Sequence, residues 1–101
     1  MDLDLKYVDW NLEKNRKLIE ERGISFEDVM ETLFKKGELE ITDNPNQKRY
    51  PNQKLLIVKI ESYVYLVPYV VDEKKIFLKT IIPSRKATKK YLKGGDSNET
   101  L

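Results

Sequence analysis

The sequence predicts an α+β domain: two N-terminal helices packed on a small antiparallel sheet of about four strands, closed by a short C-terminal helix. Three observations predict it. Apolar residues recur at helical spacing between capping residues over 11–37. Short β-branched and aromatic runs, separated by turn-forming residues, fill 39–82. A helical pattern returns over 84–92, behind Pro83-Ser84. The chain of 101 residues has the length of one domain with one two-layered core. Residues 1–93 read as that domain, and 94–101, opened by Gly94-Gly95, as a polar disordered tail.

The first helix covers 12–22. Asn11 is placed to cap it and Gly23 to end it, with Leu12 and Ile19 on one face and Leu18 beside them. Ser25 opens the second helix, and Asp28 three residues later completes a capping-box pattern. Phe26, Val29, Met30, Leu33 and Phe34 follow the spacing of one buried face, and Gly37 is read as the stop. The helical carboxylates Glu13, Glu20, Glu21, Glu27, Asp28 and Glu31 read as a solvated face and caps.

Leu39–Thr42 is a short strand. Residues 43–54, "DNPNQKRYPNQK", are turn chemistry, with Pro-Asn-Gln-Lys occurring twice and no acid after Asp43. Strands follow over 54–61 and 63–71, joined by a tight turn at Glu61-Ser62, and a third covers about 75–82. Pro68 lies inside the middle strand and has no N–H, so a bulge or a local loss of pairing is expected there. By alternation, Val64, Leu66, Pro68 and Val70 face one way, and Tyr63, Tyr65, Val67, Tyr69 and Val71 the other. The expectation is an aliphatic face under the helices and a tyrosine face, with Lys79 and Lys59, turned outward.

Composition limits the chemistry. Cysteine and histidine are both absent, so disulfides, zinc-finger spacings, thiol nucleophiles and histidine bases are excluded. No phosphate-loop or dinucleotide glycine pattern occurs, and neither a metal site nor a cofactor is expected. Met1–Lys6 is unlike a signal peptide and no apolar run reaches membrane-spanning length, which leads to the expectation of a soluble cytoplasmic protein without membrane contact.

The net charge is only +2, from 19 basic and 17 acidic residues. The C-terminal segment "IIPSRKATKKY" nonetheless has no acid between Pro83 and Lys93. Lys89, Lys90 and Lys93 suit the C-terminal half of a helix, where cations are favoured. Arg85 and Lys86 would stand in its first turn, where they oppose the helix dipole and, with the exposed N–H groups, suit a phosphate. Lys48, Arg49, Tyr50 and Lys54 read either as a plain polar loop or as a second phosphate grip with a stacking tyrosine. Tyr65, Tyr69 and Lys79 read either as a half-covered face or as a platform for single-stranded nucleic acid.

Two segments also carry a family resemblance. "DWNLEKNRKLIEERGISFEDVMETLF" (9–34) and "KTIIPSRKATKKY" (79–91) resemble, in this order, the opening and closing segments of BrnT-type toxins. The resemblance implies a RelE-like fold and the toxin of a type II toxin–antitoxin pair, an endoribonuclease that inhibits translation. It implies a small ribbon–helix–helix antitoxin as partner, with operator DNA bound only through that antitoxin. By motif position Arg85 matches the family's C-terminal arginine, and Arg49 the arginine before its second strand. Arg22 stands where the family often has histidine. The expected reaction is metal-independent attack of a ribose 2′-OH on the adjacent phosphate, with Arg85, Arg49 and Lys79 gripping that phosphate. The alternative is a non-catalytic module that binds RNA or protein through the same surface.

Overall fold

The computed structural model describes residues 7–93, so the tail reading for 94–101 lies outside the described residues. Asn11 caps α1 (Leu12–Arg22) by accepting from the Lys14 N–H at 2.9 Å, and Gly23 ends it at φ 68°. The inner face of α1 differs from the expected one. Leu18 is buried, whereas Leu12 is 80% exposed and Ile19 49%. The second inward residue is polar: Asn15. Its Oδ1 accepts from the Phe26 N–H at 2.7 Å, and its Nδ2 donates to Glu27 Oε1 at 2.8 Å. A buried amide satisfied at both ends fixes the helical hairpin more specifically than a leucine would. The same bond from Asn15 holds the Glu27 carboxyl below its ordinary range. Asn15→Leu is expected to cost about 2 kcal/mol in urea unfolding, because the Phe26 N–H is left without its partner.

The capping box of α2 (Phe26–Phe34) forms as the sequence predicts: Ser25 Oγ accepts from Asp28 N, and Asp28 Oδ2 from Ser25 N. Phe26, Val29 and Leu33 are buried and Met30 packs against them, but Phe34, the last helical residue, is 72% exposed. The stop also differs from the expected one. Lys36, not Gly37, takes the left-handed conformation, at φ 57°. Lys36 N donates to Leu33 O and Gly37 N to Thr32 O, the paired bonds of a Schellman ending. Gly37 serves close approach instead, since a Cβ there would lie 3.0 Å from Thr32 Cγ2. Relieving Lys36 with Lys36→Gly is expected to stabilise the fold by about 0.5–1 kcal/mol, read from the chemical-denaturation midpoint.

Among the described residues six strands form the sheet: β1 (Val8–Trp10), β2 (Glu38–Asp43), β3 (Lys54–Ile60), β4 (Tyr63–Val71), β5 (Ile76–Leu78) and β6 (Ile82–Pro83). Their order is β1-β5-β4-β3-β2, with β6 also on β4. Two features depart from the expected antiparallel four. Strand β1, too short for a periodic signal, pairs parallel to β5. The predicted strand 75–82 is broken into β5 and β6. Tyr69 opposes Leu78 and Leu66 opposes Ile82, so three steps on β4 face four on its partner. The extra residue falls beside Pro68, as its missing N–H foreshadows; Pro68 O still accepts from Lys79 N at 2.8 Å.

The helices pack on the tyrosine-bearing face of β4, the reverse of the expected arrangement. Val67 and Tyr69 lie in the core with Leu56, Val58, Ile76, Leu78 and the inner residues of α1 and α2, and Trp10 stacks on Phe26 at 5.5 Å. Both faces of β4 are apolar, so alternation within it does not choose. The neighbouring strands do. Beside Val67 and Tyr69 they offer Leu56, Ile76 and Leu78, whereas the opposite face mixes Leu55 and Ile57 with Glu40 and Thr42 on β2 and Lys59 on β3.

That opposite face is covered by α3 (Arg85–Thr88), which runs into a π-helical turn at Lys89–Lys93. Ser84 caps it, accepting from Ala87 N at 3.0 Å. Thr88 is buried: its hydroxyl donates to Ser84 O at 2.7 Å and accepts from Val64 N at 2.9 Å, tying α3 to β4.

Candidate nucleic-acid interface

Because α3 crosses the outer sheet face, it leaves a cleft of about 430 Å³ between itself and strands β2–β4. Leu55, Ile57 and Leu66 form the apolar floor; Lys86, Lys90 and Tyr91 line one wall, and Glu40, Thr42 and Pro45 lie opposite. Alternation along β2 is what turns Glu40 and Thr42 to this face while Ile41 packs against the core. The Tyr91 hydroxyl donates to Glu40 Oε1 across the cleft. One carboxylate oxygen is thereby oriented and the other left for a second partner. That bond, followed by burial, pushes Tyr91 up to about 12.

A phenol raised from 10.0 to about 12 stabilises the fold fully below pH 10, and the contribution fades as pH rises toward 12. A Tyr91 Cζ NMR titration should place its midpoint near 12 and move it back toward 10 in Glu40→Gln.

Two further basic regions adjoin the cleft. On the outer face Phe77 has Lys75 Nζ 5.8 Å and Lys79 Nζ 5.6 Å from its ring centre. Beyond Asp43 and Lys54, residues 44–53 project from one end of the β2–β3 pair. Their repeated Asn-Gln pairs brace the loop: Asn46 Oδ1 accepts from Arg49 N, and Asn52 N donates to Gln47 Oε1. Asn44 Nδ2 likewise donates to Gln53 Oε1 at 2.7 Å. This bracing holds Lys48, Arg49 and Tyr50 outward, with the Arg49 guanidinium 5.5 Å from the Tyr50 ring centre.

The sequence-predicted residues therefore divide. Lys86 lines the cleft. Arg85 is exposed at the corner where β6 becomes α3, and Lys79, Lys48, Arg49 and Tyr50 are exposed around the outer face and loop. Arg49 and Arg85 do not form one cluster. The loop leaves the sheet beside the Lys54–Tyr69 pair, and α3 begins where Ser84 N donates to Val64 O, so the cleft runs between them. The α-helical part of α3 is a single turn, too short for the macrodipole contrast drawn between Arg85 and the later lysines.

Three residues stand elsewhere. Tyr69 is 2% exposed in the core, which leaves no ring face for a base. Tyr65 is half-buried on the helix-bearing face. Lys54 is paired with Asp43 at 2.6 Å, which raises its pKa and occupies its charge. Sequence reasoning missed Glu40, Lys90 and Tyr91 as neighbours. Only the β2–β3 register and the path of α3 bring them together, and neither is written locally.

Behind the corner lies a smaller polar pocket of about 310 Å³, bordered by Arg22, Asp28, Glu61, Ser62, Tyr63 and Tyr65. Arg22 Nη1 donates to Ile81 O at 3.3 Å, joining the end of α1 to the approach to β6. The helical carboxylates serve as expected: Arg16 bridges Glu13 and Glu20, and Lys35 pairs with Glu31. Among the described residues no helix is long and apolar enough to cross a membrane.

Neither the curated proteins nor the solved structures yield a match to this chain. Residues 10–90 match the family model described as the ribonuclease toxin BrnT of type II toxin–antitoxin systems. The match spans α1 through Lys90 and includes every lining residue of the cleft except Tyr91. The chain thus belongs to the BrnT family of type II toxin–antitoxin ribonuclease toxins.

Proposed function

We propose that the protein is a metal-independent endoribonuclease that stops translation in the cytoplasm by cutting RNA along the outer sheet face. The observation that supports this most is the grouping of one oriented carboxylate, Glu40, with Lys86, Lys90 and Tyr91 in a single cleft. Arg85, Lys79 and Arg49 extend its positive border, and Tyr50 offers a face for an unpaired base. In the proposed reaction Glu40 takes the proton of a ribose 2′-OH. The freed oxygen forms a bond to the adjacent phosphorus, and the P–O5′ bond breaks. Lys86 or Lys90 protonates the departing 5′-oxygen. The products are a 2′,3′-cyclic phosphate and a 5′-OH. Arg85 and the cleft lysines neutralise the charge that develops on phosphorus.

A small ribbon–helix–helix antitoxin is the proposed partner, blocking this face and carrying the operator-DNA contact. The test has two arms. Induced expression should arrest bacterial growth with loss of intact messenger RNA. Purified protein should cut RNA in EDTA and leave cyclic-phosphate ends. Folded protein that binds RNA with a steep salt dependence but yields no product would support the non-catalytic module instead.

A further inference from the structure

The pocket behind the corner is not used by the proposed cleavage chemistry, yet it is furnished with hydrogen-bonding groups. Arg22 uses one guanidinium nitrogen on Ile81 O and, among the described residues, forms no ion pair with Asp28 or Glu61. Asp28 already accepts from Ser25 N within its capping box. Glu61 is the pocket carboxylate outside the capping box. Glu61 begins the two-residue turn between β3 and β4 at φ 59°, the positive φ that such a turn takes and that glycine or asparagine adopts more readily than glutamate. Tyr63 and Tyr65 supply an aromatic border, their ring centres 5.7 Å apart and edge-on.

A guanine base presents acceptors at O6 and N7, and donors at N1 and the 2-amino group. A guanidinium fork matches the first pair and a carboxylate the second. Adenine offers no adjacent pair of donors, and uracil only one. The pocket lies on the helix-bearing side of the sheet, across the β6 edge from the proposed cleavage surface: Tyr65 opposes Pro83 in the ladder, two residues before Arg85.

We propose that this pocket holds a guanine base of the RNA, with Arg22 on O6 and N7 and Glu61 on N1 and the 2-amino group. It would thereby set the sequence preference of the ribonuclease reading on which it rests. The probes are GMP, AMP, CMP and UMP, titrated separately into the folded protein and followed by amide NMR. Because all four share the phosphate, differences among them report the base. GMP should shift the amides of Arg22, Glu61 and Tyr65 and bind about tenfold more tightly than AMP.

Glu61→Gly gives the sharper test, because the variant is expected to be more stable than the wild type. It should raise the midpoint of thermal unfolding and abolish the preference for GMP. Equal binding of all four nucleotides would overturn the proposal, as would a guanine preference that persists in Glu61→Gly. A guanine preference without RNA cleavage would leave this pocket standing and remove the endonuclease reading. Cleavage without base preference would do the reverse.

Discussion

Glu40→Gln is expected to lower the rate of RNA cleavage by about 10²- to 10⁴-fold, the usual contribution of a positioned general base. RNA affinity should change little, because phosphate is held by Arg85, Lys79 and the cleft lysines. The substitution keeps the size of the side chain and an oxygen that can accept from Tyr91, so the fold should remain intact. Single-turnover cleavage measured beside equilibrium RNA binding separates the two effects. Arg85→Ala should weaken binding as well as cleavage, since a phosphate ligand acts on both. A Glu40→Gln variant that cleaves at the wild-type rate would remove Glu40 from the reaction. Cleavage elsewhere on the outer face would then rest on the arginines alone.

Tyr69→Ala is expected to cost about 3–5 kcal/mol of stability, the range for deleting a large aromatic side chain from a core. For a domain of this size a loss of that order removes much or all of the folded population near body temperature. Tyr69→Phe keeps the ring and should bind and cleave RNA as the wild type does. Together the pair distinguishes a core residue from a stacking platform. Loss of RNA binding in a well-folded Tyr69→Phe variant would contradict the placement of Tyr69 against α1 and α2.

The local grammar of the fold was legible because it is written in neighbouring residues. Asn11, Gly23 and the Ser25–Asp28 box mark helix ends through bonds spanning only a few residues. Glu61-Ser62 marks a hairpin for the same reason. What was not legible depends on partners far along the chain. The direction in which β4 turns its tyrosines is set by Leu56, Ile76 and Leu78, not by β4 itself. The inward face of α1 is chosen by Asn15 because the start of α2 needs an acceptor, and a hydrophobic pattern has no symbol for that. Strand β1 exists because β5 offers it an edge.

The candidate site divides in the same way. The basic residues were visible as a charge run without acids. Arg85 and Lys86 therefore stood out, and their segment, with 9–34, carried the family resemblance that the family match upholds. Glu40 was invisible as a site residue: one acid in an acidic strand, fifty-one positions from the tyrosine it meets. Thr88 explains part of the closing motif in structural terms. Its hydroxyl serves both the cap of α3 and the backbone of β4, so it fixes the helix that carries Lys86 and Tyr91.

The central claim is that RNA lies on the outer sheet face, between the 44–53 loop and α3. Its most direct test is amide NMR of the protein titrated with a short RNA made uncleavable by 2′-O-methyl substitution at each position. The account predicts shifts concentrated in residues 40–50, Lys79 and 84–91, with none along the exposed side of α1 before Arg22. Shifts centred on α1, with the α3 segment unperturbed, would contradict it.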